Sequence, residues 1–139
     1  ILDTYPVLAY LQNEPCAGAV QTLFEQAEAT GEPLHMTEVS YAEVKHIVIR
    51  KFGQRRWNTI AAALPVLPIR YHPITRPLAD EAALVKARHR LSLGDAFAAA
   101  LAIQIGATLV TGARHSRLCQ TKFAFTGFDV VHPTIRNAR

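Results

Sequence analysis

The sequence predicts an α/β domain built on a mostly parallel sheet flanked by helices. Three observations carry that prediction. Short apolar runs alternate with helical stripes along the whole chain. No repeat, low-complexity stretch or linker interrupts them. One long stretch, Leu91 to Ala113, passes from an apolar helix into a buried strand and holds a single charge, Asp95. Alternating strand and helix periods with helix-length crossovers are the pattern of a parallel sheet. At 139 residues the chain is one domain, 1–139, with a core over about 1–133.

Ile1-Leu2-Asp3 reads as the end of a buried strand, already under way at Ile1, so we expect residues upstream. Thr4, Tyr5 and Pro6 turn into a first helix through Leu11, where Pro suits the opening turn. Pro15 opens a second. In it Val20, Leu23, Phe24 and Ala27 fall at i, i+3, i+4 and i+7, and Gly31 ends it. Pro33 to Met36 is expected as a strand. A third helix runs from Thr37 to Phe52, with Tyr41, Val44 and Val48 inward and Ser40-x-x-Glu43 as its capping box. Gly53 breaks it, and Trp57, Ile60, Ala61 and Leu64 resume the stripe. Pro65 to Ile69 is read as a strand, His72-Pro73 as a turn, and Pro77 to Arg90 as a helix. The Leu91 to Ala113 unit follows. Its small residues, Ala96, Ala98, Ala99, Ala100 and Ala102, allow close helix packing, and Ala107 to Val110 forms the strand. Phe128 to Val131 is the last strand, closed by Pro133.

Composition narrows the function. The longest apolar runs are too short and too broken for a membrane span. Cys16 and Cys119 form no metal or redox motif and are expected as free thiols. There is no Gly-rich phosphate loop. The net charge is +4, and its arrangement is uneven. No acid lies between Val44 and Ala79, where Lys45, Arg50, Lys51, Arg55, Arg56, Arg70 and Arg76 fall. None lies between Ala96 and Phe128, where Arg114, Arg117 and Lys122 fall. A basic face with few internal counter-charges favours a polyanionic partner, although each base alone is also an ordinary solvated side chain.

Three isolated acids stand at helix amino ends. Asp3 ends the first strand, Glu43 begins the third helix, and Asp95 begins the helix before the fourth strand. Each is explained alone as a cap, and Ser92-x-x-Asp95 has that pattern. Together they converge at one edge of a parallel sheet, where such folds gather ligands. Oxygen donors with few histidines suit Mg²⁺ or Mn²⁺ rather than Zn²⁺. Glu43-x-x-His46 has the spacing of a carboxylate-bridged metal helix. That arrangement needs a second copy, and Glu32-x-x-His35 spans a Pro and a strand. His46 is therefore read as a surface or packing residue.

The pieces ILDTYPVLAYL, TEVSYAEVKHIV, LSLGDAFAAALAIQIGATLVTG and FDVVHP, in that order and spacing, resemble the PIN domain family. More narrowly, they resemble the VapC-type toxin ribonucleases of bacterial and archaeal toxin–antitoxin pairs. The resemblance covers about Ile1 to Pro133. It implies a PIN-like three-layer sandwich and a cytoplasmic, metal-dependent endoribonuclease acting on single-stranded RNA regions. It also implies a homodimer and an antitoxin partner. Asp3, Glu43 and Asp95 match the family's most characteristic acids, which bind Mg²⁺ or Mn²⁺. Thr111 matches the hydroxyl residue after the fourth strand. Arg114, Arg117, Arg50, Lys51, Arg55 and Arg56 are the bases expected to meet RNA. One position departs: where the family commonly reads TGD, this chain has Thr111-Gly112-Ala113. His115 or Ser116 could hold a water ligand in place of the missing acid. Its loss leaves open a PIN-like module that binds RNA or protein with little catalysis. A haloacid-dehalogenase-like phosphatase would need a second Asp two residues after Asp3, where Tyr5 stands.

Overall fold

The computed structural model describes residues 1–112, 121–126 and 129–131, the last two stretches by their backbone course. In chain order the helices and strands are α1 (Thr4–Leu11), α2 (Ala17–Thr30), β1 (Leu34–Thr37), α3 (Glu38–Ala63), β2 (Ile69–His72), α4 (Arg76–Arg88), α5 (Leu93–Ile105), β3 (Leu109–Thr111), β4 (Thr121–Thr126) and β5 (Asp129–Val131).

The first three residues stitch the sheet together. Leu2 forms a parallel bridge to Val110. The Leu2 N–H donates to the His35 carbonyl at 2.7 Å, and the Asp3 N–H donates to the Val110 carbonyl at 3.0 Å. This segment therefore lies between β1 and β3. β2 pairs parallel with β1 on one side. On the other side β4 pairs antiparallel with β3, and β5 with β4. The sheet is parallel where the acids gather and antiparallel at one edge.

Two apolar clusters flank it. One joins Leu2 with Val7, Val20, Phe24, Met36, Val44, Val48, Trp57 and Ile60, holding α1, α2 and α3. The other joins Ile1 and Leu109 with the α4–α5 hairpin through Leu78, Ala82, Leu101 and the α5 alanines. Those alanines are almost fully buried, which places α5 close against its neighbours. No helix among the described residues is long and apolar enough to cross a membrane.

Three expectations need correction. The capping residue of α3 is Thr37, whose hydroxyl accepts the Ser40 N–H at 3.0 Å; Ser40 is buried inside the first turn. Ser-x-x-Glu and Thr-x-x-Ser fit the capping pattern in the same stretch, and the end of β1 at Thr37 decides between them. The apolar run Leu64 to Val66 is a 3₁₀ turn, and the strand follows at Ile69–His72, taking in the expected turn residue His72. β4 has no counterpart in the sequence reading. Gly53 behaves as expected: at φ 83° and ψ 168° it separates two helical halves of α3.

Thr37 thus starts the helix that carries Glu43. Thr37→Ala removes that acceptor from a fully buried position. It should cost about 1–2 kcal/mol, read as a lower midpoint in urea at unchanged slope.

Candidate active site

Local folding places each acid for its own reason. Asp3 terminates the bridging strand and caps α1: its Oδ1 accepts the Thr4 N–H at 2.7 Å. Its Oδ2 accepts the Thr111 hydroxyl at 2.9 Å, tying it to the end of β3. Asp95 completes a reciprocal box with Ser92 at the start of α5, accepting the Ser92 N–H at 3.2 Å while its own N–H donates to Ser92 Oγ at 3.1 Å. Glu43 points back from the second turn of α3, where Oε2 accepts the Thr4 hydroxyl at 2.6 Å. A Cβ on Gly94 would lie 3.0 Å from that oxygen, so the Glu43 carboxylate rests on the first turn of α5.

These side chains open into one cleft of about 690 Å³. Asp3, Glu43, Asp95 and Thr111 all line it. Capping, the simple account of each acid, is geometrically present at Asp3 and Asp95. Capping does not explain why the acids share one cavity. Among the described residues, no three acid, histidine or cysteine side chains are drawn together tightly enough to form a metal cage by themselves.

The electrostatics are unfavourable without a cation. Asp3 is 4% exposed, and its pKa is raised from 3.8 to about 6. Burial is the main cause, and the adjacent Asp95 carboxylate raises it further; the bonds from Thr4 and Thr111 pull the other way. A buried carboxylate facing a second one is the arrangement a divalent cation relieves, so the donor set fits such an ion.

The cleft continues along α3. His46, Ile47, Arg50 and Lys51 follow Glu43 at one-turn steps and line the same cavity, as do Gln12 and Glu14. Arg50 and Lys51 are thus at the acids' cleft. Arg56 instead borders a small separate recess with Phe52 and Ile60, and Arg55 is exposed on α3 away from the lining. Arg114 and Arg117 lie outside the described residues, as do Ala113, His115 and Ser116. The sequence reading passed over Thr4 and set His46 aside. Thr4 was legible only as a polar residue beside Asp3, and the helical step from Glu43 to His46 was the available signal for the other.

Tyr5 closes one wall. A Cβ on Gly112 would stand 2.1 Å from the Tyr5 ring, so glycine is required there for contact, not for its dihedral angles. Gly112→Ala should force Tyr5 outward. It should cost about 1–2 kcal/mol, at the low end for overpacking because Tyr5 is partly exposed. Chemical denaturation of Gly112→Ala alone and combined with Tyr5→Ala checks this. The double variant should recover part of the loss.

Comparison with known proteins identifies a family and a similar solved structure. A family model described as PIN domain matches residues 1–120. Among solved structures, the chain is similar to VapC20 of Mycobacterium tuberculosis, a toxin that cleaves the sarcin–ricin loop. The two share 19% identity over 76% of this chain and 82% of that one, with a TM-score of 0.58. A comparison with curated protein sequences returns no match.

Proposed function

Because the chain belongs to the PIN domain family, we propose that it is a metal-dependent endoribonuclease, the toxin of a VapBC-type pair. The observation that carries the reading is the shared cleft: three carboxylates on three separate elements, with Arg50 and Lys51 on its wall. VapC20, similar in fold, is a toxin that cleaves the sarcin–ricin loop, and with the basic wall of the cleft this supports RNA as the substrate class here.

In this reading Asp3, Asp95 and Glu43 hold Mg²⁺ or Mn²⁺. When bound there, such an ion would supply an acidified water and charge compensation for the phosphate oxygens. Thr111 fixes the orientation of Asp3, and Thr4 fixes that of Glu43. Arg50 and Lys51 bind the RNA backbone, so affinity falls steeply with salt. Arg114 and Arg117, just past β3 in sequence, are further phosphate contacts. With Ala113 at the family's fourth acid position, the three acids support one ion rather than two. An antitoxin partner, a homodimer and a cytoplasmic location go with the toxin reading.

The same alanine favours a second reading, a PIN module that binds RNA without turnover. One experiment separates them. The purified chain is incubated with a mixed RNA pool in Mn²⁺, Mg²⁺ or EDTA. Discrete cuts in either metal, absent in EDTA, are the expected result. Intact RNA with Ala113→Asp restoring cleavage would mean a PIN scaffold disabled at one ligand, as the second reading requires. No cleavage by either form would remove the nuclease reading.

A further inference from the structure

A second constellation of metal-binding chemistry lies away from the cleft. β1 and β2 run parallel with His35 opposite Arg70 and Thr37 opposite His72. Side chains two apart on a strand share a face, so His35 and His72 stand on the same face of neighbouring strands. Leu34, Met36, Ile69 and Tyr71 occupy the other face and enter the apolar core. His35 Nδ1 is 2.8 Å from His72 Nε2, with ring centroids 5.0 Å apart and planes at 53°. Both rings are partly exposed, and neither shows a carboxylate hydrogen bond among the described residues.

We propose that the His35–His72 pair is a binding site for a borderline divalent transition metal, Ni²⁺ or Cu²⁺ foremost, distinct from the carboxylate cleft. The argument is geometric. With metal–nitrogen bonds of about 2.0–2.1 Å, two cis nitrogens lie about 2.9 Å apart at a right angle and about 3.3 Å apart at a tetrahedral angle. The observed 2.8 Å matches the square-planar spacing that Cu²⁺ and Ni²⁺ favour. Zn²⁺ would need the rings to part by about half an ångström. To bind, each ring turns by about 45° about its side-chain torsions so that both lone pairs meet at the ion. The imidazole that now donates also changes tautomer, which needs no change in charge.

The surroundings decide which ions enter. Burial, and for His35 also the neighbouring imidazole, disfavours the charged forms, so both rings present lone pairs. Arg70 on the same face adds positive charge. It selects against weakly held ions and leaves those that imidazole binds strongly. Mg²⁺ and Mn²⁺ prefer the oxygen donors of the cleft. Among the described residues no third His, Cys, Asp or Glu completes the shell, so water fills the remaining positions.

The test is calorimetric titration of the tag-free chain with Ni²⁺ in excess Mg²⁺. One equivalent should bind, His35→Ala and His72→Ala should each weaken it at least tenfold, and Arg70→Gln should tighten it. Asp95→Asn should leave it unchanged, which separates this site from the cleft. Cu²⁺ bound to the parent should show two imidazole nitrogens by electron paramagnetic resonance. Should an alanine variant fail to fold, His72→Gln keeps a hydrogen-bonding side chain and replaces it. Absence of Ni²⁺ binding by the parent would overturn the proposal. So would unchanged binding in a folded His72 variant, or a Cu²⁺ spectrum with fewer than two imidazoles. The pair would then be a strand-to-strand hydrogen bond only.

Discussion

Asp95→Asn should lower RNA cleavage in Mn²⁺ by at least about 100-fold while leaving the fold of α5 intact. The substitution is chosen for what it keeps. Asp95 Oδ2 accepts the Ser92 N–H, and the asparagine carbonyl can accept it in the same geometry, as a weaker, uncharged acceptor. The Ser92 hydroxyl still receives the backbone N–H of residue 95. Helix capping therefore survives, and only the negative charge facing Asp3 is lost. Single-turnover rates at saturating RNA give the effect on the chemical step. Retained cleavage in Asp95→Asn would mean that this carboxylate serves α5 alone. Asp95→Ala is the companion variant: it keeps the Ser92 cap but loses the bond from the Ser92 N–H, so it should lose about 0.5–1 kcal/mol of stability that Asp95→Asn keeps.

The legible parts of this fold are those where one local signal decides. The stripe Val20, Leu23, Phe24, Ala27 marks α2, of which Val20, Phe24 and Ala27 are buried. Gly31 ends it in the left-handed conformation at φ 72°. Gly53 and the Ser92–Asp95 box were equally visible, since each depends on residues a few positions apart. The parts misread depend on distant partners. Leu64-Pro65-Val66 is as apolar as a strand, yet Pro65 and the turn it makes leave the pairing with β1 to the more polar Ile69–His72. β4 exists through its pairing with β3, Leu109 opposite Phe123, a contact no local pattern announces. The same holds for the cleft. Three acids could be named from the chain, although Glu43 sits in the second turn of α3 and not at the helix start expected for it. That Thr4 holds Glu43 and Thr111 holds Asp3 depends on contacts between residues 39 and 108 positions apart. The matching of Asp3, Glu43 and Asp95 to metal ligands rests on the family resemblance, and the variants at Asp95 and Asp3 are its tests.

Asp3→Asn should destroy cleavage yet make the metal-free protein more stable at neutral pH. The sign follows from linkage. The Asp3 pKa is raised from 3.8 to about 6 in the folded chain. The folded state then binds a proton more tightly than the unfolded one, so stability falls as pH rises from about 4 to about 6 and stays low above it. Two pH units correspond to about 3 kcal/mol. That is the upper limit of the gain from replacing the carboxylate by a neutral amide. The amide keeps much of the local geometry. Its carbonyl accepts the Thr4 N–H, and its NH₂ faces the Thr111 hydroxyl, which turns from donor to acceptor. Thermal unfolding in EDTA should show a raised midpoint for Asp3→Asn at pH 7.5 and a difference that shrinks towards zero by about pH 4. Adding Mn²⁺ should reverse the order, because the ion stabilises only the form that keeps its carboxylates. A purely structural Asp3 predicts the same behaviour in EDTA, but Mn²⁺ would then move both proteins alike and leave their order unchanged. The raised pKa of Asp3 thus marks the stability this chain gives up to bury a carboxylate beside a second one, and a divalent ion is what would return it.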